Sequence, residues 1–274
     1  MPELPEVETI RRRLDPHVVG RTIAGLAVFD ARVSEQSEAE LRRLLVGARI
    51  VATGRRGKWL TLDLGERLMI VHLRMTGQLL LQPDHAQKGP RWTMDLDDGR
   101  RLWFYDQRRF GTLEVIGVDA AAERFGDMGV EPLSAEFGVA ALRAQLAGRS
   151  APLKAFLLDQ RRLAGVGNIY ADEVLFRARL HPLRKAGGVG PREAQRLHAA
   201  IIATLELAIE HEGSSVESFV DPAGERGSFQ EILNVYQRTG APCRVCGTPI
   251  KRVVISGRGT HFCPRCQPRR QRRR

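Results

Sequence analysis

The sequence predicts an α+β protein of several domains, β-rich in its first half, helical in its second, and closed by a small metal-binding segment. Three observations carry this. Between residues 22 and 118, short apolar runs alternate with polar and turn residues, as in Leu60-Thr61-Leu62-Asp63-Leu64, the period-two pattern of a half-buried strand. After Gly129-Val130-Glu131-Pro132-Leu133 the apolar spacing becomes helical. All four cysteines lie between Cys243 and Cys266, as two Cys-x-x-Cys pairs separated by sixteen residues. A chain of 274 residues has room for two domains with cores of their own.

The chain opens Met1-Pro2-Glu3-Leu4-Pro5-Glu6-Val7-Glu8. Methionine before a small residue is normally trimmed, which leaves Pro2 as the working N-terminus and its nitrogen a secondary amine. Such an amine condenses with a sugar aldehyde carbon to a cationic Schiff base, as activated lysines do. A terminal amine titrates near ~8, below a lysine. Pro5 suits the first position of a helix, and Val7, Ile10 and Leu14 recur at i, i+3 and i+7 as its apolar face. The positive end of that helix disfavours a protonated amine at Pro2. Glu3 and Glu6 are the acids nearest in sequence. Proline and glutamate are also common before any helix, and on these residues alone the plain helix start is the reading to back.

The strands follow. Gly65-Glu66 turns the 60–64 strand into the denser apolar run 68–73, and Asp97-Asp98-Gly99 signals a hairpin between runs 92–96 and 102–105. Repeated strands at this spacing predict a β-sandwich or barrel. Three spots invite chemistry: Arg55-Arg56-Gly57-Lys58-Trp59, His72-Leu73-Arg74-Met75-Thr76-Gly77 and Asp106-Gln107-Arg108-Arg109-Phe110-Gly111. The first is a solvated turn or a loop presenting Lys58 to a phosphate. In the second, His72 and Met75 read equally as core residues. The third is a charged hairpin tip or an apolar wedge with a guanidinium for entering a duplex.

In the helical half, residues 140–146 and 153–160 are short amphipathic candidates. Gly165-Val166-Gly167-Asn168 gives tight turns with Asn168 as N-cap of the next helix, where backbone amides suit a phosphate; a plain helix–turn–helix connection has the same pattern. A longer helix is expected over 191–212, and the Gly/Ser/charge-rich stretch 213–227 reads as a mobile loop. Cys243, Cys246, Cys263 and Cys266 match a four-thiolate zinc site. With every ligand from protein, such a site is closed and structural. Lys251, Arg252, Arg258 and His261 make the finger basic. The tail 268–274 holds five arginines, which would add salt-sensitive, sequence-independent affinity for nucleic acid.

The charge balance agrees: 43 basic against 32 acidic residues, net +11 and a pI near 10.3, favour a polyanionic partner. Cysteines confined to one metal motif suit a reducing cytoplasm, no apolar run approaches a membrane span, and the acidic start does not resemble a signal peptide.

Taken in order, residues 1–14, Arg108-Arg109-Phe110-Gly111, residues 165–173 and the Cys243–Cys266 finger resemble the formamidopyrimidine-DNA glycosylase family. The resemblance spans nearly the whole chain. It implies a catalytic β-sandwich domain with an N-terminal helix over 1–132, a linker over 133–148, a helix-two-turns-helix domain over 149–234, a four-cysteine finger over 235–267 and a basic tail over 268–274. It also implies one structural zinc, duplex DNA containing damaged bases as partner, a monomer, and a cytoplasmic, nucleoid-associated setting. Gln107 departs from the proline often found before this Arg-Arg-Phe, which bears on the loop's stiffness. Leu4 stands where the related endonuclease VIII group usually has glycine, and favours a purine-lesion enzyme.

The implied chemistry is base excision. An 8-oxoguanine presents a donor at N7 where guanine presents an acceptor, and the damaged nucleotide must leave the stack to be reached. Pro2 would attack C1′ and displace the base, Glu3 would protonate the ring oxygen as the sugar opens, and the iminium would acidify the neighbouring C–H for β- and δ-elimination. The family assigns proton donation to the residues matching Lys58 and Arg258; the high pKa of arginine favours phosphate orientation for Arg258. Met75, Arg108 and Phe110 match the residues that fill the gap, with Arg108 on the orphaned cytosine. His72, Arg91, Lys154 and Asn168 match phosphate contacts, and the 213–227 loop would close over the flipped base. The rival readings are an endonuclease VIII-like enzyme for oxidised pyrimidines and a non-catalytic zinc-finger DNA-binding protein, against which the Pro2-Glu3 terminus speaks.

Overall fold

A computed structural model describes residues 1–81 and 89–269. Most of the arginine tail, residues 270–274, lies outside the described residues. Contacts divide the chain into two compact units, Met1–Asp127 with Ala208–Gln230, and Met128–Leu207 with Glu231–Arg274.

The first unit is a β-sandwich headed by a helix. Helix α1 (Leu4–Val18) buries Val7, Ile10, Leu14 and Val18 completely, each burial contributing about 1.5–3 kcal/mol. Its N-cap is Glu3 and Pro5 stands at the second helical position, one later than the sequence suggests. Strands β1 (Ile23–Val28), β5 (Gly77–Leu81), β6 (Trp92–Leu96) and β7 (Arg101–Asp106) form one sheet in the order β1-β6-β7-β5. Strands β2 (Ala52–Arg56), β3 (Trp59–Asp63), β4 (Arg67–His72) and β8 (Thr112–Gly117) form the other in the order β2-β3-β4-β8. All pairs are antiparallel.

The alternation read from the sequence is visible in the core. Leu60 opposite Val71 and Leu62 opposite Met69 share one cluster with Trp92 and Phe104, whose rings stack at 5.3 Å. Helix α2 (Glu38–Leu45), capped by Ser37, adds Leu41 and Leu45. Just before it, the Gln36 side chain reaches the outer edge of β8, its Nε2 donating to the Val115 carbonyl at 3.0 Å and its Oε1 accepting from the Val115 amide at 2.8 Å. A short helix, α3 (Ala121–Phe125), closes the continuous part of this unit.

The stretch 213–227, expected as a mobile loop, makes core and hydrogen-bond contacts that its composition did not announce. Phe219 belongs to the sandwich core, and Ser214, Ser215 and Asp221 are buried. The Asp221 carboxylate accepts from the Ala223 and Glu225 amides, both at 2.9 Å, and the Leu81 amide donates to the Pro222 carbonyl at 2.8 Å. Composition concealed this, because one aromatic and one self-capping aspartate are enough to seat a Gly/Ser-rich segment.

The second unit holds the remaining helices and the finger. Its helices are α4 (Val139–Leu146), α5 (Leu153–Leu158), α6 (Asn168–Arg177) and most of α7 (Pro191–Glu210). Val130 bridges Leu163 in parallel. Gly129 there lies so close to the Arg162 backbone that a Cβ would overlap it. The finger hairpin, β9 (Lys251–Ile255) and β10 (Arg258–Phe262), turns at Ser256-Gly257 with φ +48° and +72°, the double positive φ that a two-residue hairpin loop of this kind needs.

Candidate active site

The N-terminal segment is buried. Pro2 and Glu3 are both inaccessible or nearly so, and Glu3 is 2% exposed. Glu3 and Glu6 form a capping box, each side chain accepting from the other's backbone amide, with Glu6 Oε2 2.8 Å from the Glu3 nitrogen. The second oxygen of Glu6 accepts from the Ser214 amide at 2.7 Å. Glu6 therefore joins the head of α1 to the 213–227 segment, a role the sequence did not disclose. With Met1 attached, the Pro2 nitrogen is a tertiary amide, and the Met1 ammonium pairs with Glu217 at 2.8 Å.

Lys58 occupies a two-residue turn between β2 and β3, with Gly57 at φ +57°. Glycine first in such a turn is what its backbone demands. Lys58 is only 7% exposed, so this is no solvated turn. Across the β3–β4 pair, His72 faces Trp59, with ring centroids 4.3 Å apart edge-on. His72 Nδ1 accepts from the Arg74 amide at 2.9 Å. Burial first, and then the charges of Arg74, Lys58 and Arg124, lower the His72 pKa to about 3. The ring is neutral near pH 7 and keeps only Nε2–H to donate.

Met75 sits half-buried in the turn between β4 and β5, where Arg74 adopts φ +55°. Gln107, Arg108, Arg109 and Phe110 form the exposed tip between β7 and β8. Phe110 is 53% exposed, and the Arg108 guanidinium lies 5.0 Å from its ring centre, a cation–π pair. Beneath the tip, buried Asp106 binds Thr76 and the amides of Arg108, Phe110 and Gly111. The sequence displays Asp106 and Thr76 within its motifs without signalling a part for either. Arg91 is held inside the unit, donating to the Asp106 carbonyl at 2.9 Å and to Asp30 at 3.0 Å. The hydrogen bond from Arg32 leads in holding Asp30 down at about 2. A cavity of about 500 Å³ opens beside this network, lined by Thr76, Gln78, Arg91, Tyr105, Asp106 and Ser218 among others.

In the second unit, Lys154 corrects its expectation. It is 0% exposed, donating from Nζ to Asp172 Oδ1 at 2.7 Å and to the Gly259 carbonyl at 3.0 Å. An ammonium without solvent exposure and held by a carboxylate is an internal strut, not a phosphate contact. Asn168 is the first helical residue of α6, and Gly167 is the cap, making no side-chain capping bond. Asn168 Oδ1 is buried without a hydrogen-bond partner among the described residues, a condition that costs about 1–3 kcal/mol. The two ends of the amide are interchangeable by rotation, and the flipped form aims a donor the same way. Arg258 stands exposed at the start of β10.

The four cysteine sulfurs lie within 4.8 Å of one another, with Cys246–Cys263 at 3.5 Å and Cys243–Cys266 at 3.9 Å. A tetrahedral zinc with bonds of about 2.3 Å separates its sulfurs by about 3.8 Å, so the cluster fits one such ion. Phe176, Val235 and Ile250 pack around the cysteines, and no ligand position is left for solvent, which makes the site structural.

No helix among the described residues is long and apolar enough to cross a membrane. The chain matches the family models "Formamidopyrimidine-DNA glycosylase N-terminal domain" over residues 1–113, "Formamidopyrimidine-DNA glycosylase H2TH domain" over 128–220 and "Zinc finger found in FPG and IleRS" over 240–269. It is 46% identical to a formamidopyrimidine-DNA glycosylase of Chloroflexus aurantiacus, covering 97% of this chain and 98% of the relative. Two solved Lactococcus lactis structures are similar at 36% identity, each covering 98% of this chain and 100% of theirs. One is a mutant complexed with Fapy-dG-containing DNA, at TM-score 0.92. The other is a wild-type complex with DNA containing an oxidised pyrimidine, at TM-score 0.91. With all three family segments matched in order along a sandwich, a helical unit and a four-sulfur finger, the chain belongs to the formamidopyrimidine-DNA glycosylase family.

Proposed function

We infer that this chain is a bifunctional base-excision repair enzyme that removes oxidised purines, 8-oxoguanine and formamidopyrimidines, from duplex DNA and then nicks the strand. Cys243, Cys246, Cys263 and Cys266 hold one structural zinc. The observation that carries the catalytic assignment is the buried Pro2-Glu3 start capped onto α1. Binding alone needs no secondary amine there.

After loss of Met1, the Pro2 amine attacks C1′ of the flipped nucleotide. The glycosidic bond breaks and the base departs with its electron pair and a proton. Glu3, buried beside the amine, protonates the ring oxygen as the sugar opens to an iminium. That cation acidifies the C2′–H, so β-elimination breaks the 3′ phosphate bond and δ-elimination the 5′ one. Water then releases the Pro2 amine. The N-terminal end of α1 keeps the amine's proton affinity low. Lys58 is assigned to proton transfer or phosphate contact, and Arg258 to orienting a phosphate.

Met75, Arg108 and Phe110 fill the vacated stack, and Arg108 pairs with the orphaned cytosine. The cavity beside Asp106, about 500 Å³, has the size for an extruded purine, with Ser218 of the 213–227 segment in its wall. Neutral His72 offers Nε2–H to a phosphate, as Asn168 offers its amide. Arg91 acts mainly inside the unit. The domain limits 1–132, 133–148, 149–234, 235–267 and 268–274 are kept as functional divisions, although 208–230 packs with the first unit. A monomer working in the cytoplasm at the nucleoid completes the reading.

Borohydride trapping on an 8-oxoguanine:cytosine duplex tests it, with a covalent adduct at Pro2 expected and no adduct refuting it. The oxidised-pyrimidine complex of the Lactococcus lactis protein favours a wider lesion range as second reading; faster cleavage of thymine glycol than of 8-oxoguanine would make that range the principal one.

A further inference from the structure

The Met75 turn and the 108–110 tip come from different hairpins, yet they leave the same end of one strand pair. Strands β5 and β7 are neighbours, with Gly77 opposite Asp106. Gly77 is pressed against the Leu73 carbonyl, where a Cβ would not fit, and this turns Met75 and Thr76 back toward Asp106. Asp106 is 2% exposed. Its Oδ1 accepts from the Thr76 hydroxyl and, at 3.2 Å, from the Arg108 amide. Its Oδ2 accepts from the amides of Phe110 at 2.7 Å and Gly111 at 2.6 Å. Thr76 Oγ1 also accepts from the Arg108 amide at 3.0 Å. The Asp106 carbonyl takes Arg91 Nε at 2.9 Å and the Arg109 amide at 3.2 Å.

The tip side chains are exposed, so core packing does not aim them. Their direction comes from the backbone, and the backbone is fixed through Asp106 and Thr76. Gln107 stands where a proline would have stiffened the tip, so that the hydrogen bonds carry the stiffness instead. A base-reading guanidinium discriminates only when its placement is held to a fraction of an ångström.

We propose that Asp106 and Thr76 are positioning residues that set opposite-base specificity by tying the Met75 turn and the 108–110 tip into one rigid recognition element. This rests on the reading of Arg108 as the residue that meets the orphaned base. The network is a chain of acceptors facing amide donors. In Asp106→Asn an NH₂ replaces one carboxylate oxygen, and in either orientation it faces amide donors. Thr76→Val keeps the shape and removes the hydroxyl that serves both Asp106 and Arg108. Thr76→Ser keeps the hydroxyl.

The experiment measures single-turnover excision of 8-oxoguanine opposite cytosine and opposite adenine, for the full-length zinc-loaded protein and each variant. The ratio within one variant cancels any loss of active enzyme, and zinc content and melting establish folding. Asp106→Asn and Thr76→Val should each lower the cytosine-to-adenine ratio about tenfold, the scale of one lost base-reading contact. Thr76→Ser should restore it. Arg108→Ala should lower it alike, and Thr76→Val added to Arg108→Ala should lower it no further. An unchanged ratio in Thr76→Val and Asp106→Asn beside a lowered one in Arg108→Ala would overturn the coupling and leave the Arg108 reading intact. An unchanged ratio in Arg108→Ala would overturn that reading and the inference with it.

Discussion

Nζ of Lys154 lies 2.7 Å from Oδ1 of Asp172, with neither side chain exposed to solvent. The other oxygen of Asp172 takes the His261 amide at 2.8 Å, and Lys154 also holds the Gly259 carbonyl. One buried ion pair thus fastens α5 and α6 to strand β10 of the finger.

Breaking that pair from one side strands a buried charge. Lys154→Met is expected to destabilise the second unit by about 3–5 kcal/mol, and the double substitution Lys154→Met with Asp172→Leu by less. Denaturant melts of the single and double variants check this. A single variant no worse than the double would show that the pair is not a strut.

The zinc finger makes a separate expectation. Metal binding and folding are coupled in so small a segment, so Cys246→Ser should lose stoichiometric zinc and DNA binding while the sandwich keeps its β-sheet circular dichroism. Full lesion cleavage by a protein shown to contain no zinc would contradict it.

His72 predicts an acid sensitivity. Its folded pKa is about 3 against an ordinary 6.5, so between those values the unfolded chain binds the extra proton. Stability is lost as pH falls through that window, on the order of 2 kcal/mol by pH ~4.5. His72→Phe should flatten the difference between urea melts at pH ~7 and ~4.5. An unchanged difference would mean that His72 does not titrate there.

Met1 should act as a mask. While it remains, the Pro2 nitrogen is an amide with no basic lone pair, and the Met1 ammonium is engaged by Glu217. A permanent N-terminal extension should leave zinc and lesion-DNA binding nearly intact but abolish base release and trapping. Mass spectrometry of the N-terminus accompanies the trapping. Efficient adduct formation by protein that retains Met1 would exclude Pro2 and make Lys58 the first substitute to test.

What could be read from the chain was what adjacent residues determine. The period-two run of β3, the apolar runs of β6 and β7 about the Asp98-Gly99 turn, and the paired Cys-x-x-Cys motifs depend on neighbours one to three positions away. Lys154 was misread because sequence displays its charge but not its burial, which comes from Asp172 and Gly259 far along the chain. Asn168 lost the cap to Gly167, whose extended φ −130° and ψ −156° suit the residue before the helix. Asp106 stayed hidden because Thr76, thirty positions away, reaches it only once β5 and β7 pair. Glu6 was near the chemistry in sequence, but its bond to Ser214 spans 208 positions.

The Gln36 side chain on β8 has a meaning for the molecule in a crowded cell. A terminal strand of a sheet offers unpaired amides and carbonyls to any extended chain that drifts past, and from such edges aggregation begins. Both polar groups of Val115 are already taken by a single side-chain amide, which imitates one residue of a further strand without supplying the next. A newcomer would have to displace it before adding itself, so the sandwich carries its own guard against self-templating at the place where its hydrogen-bond ladder stops.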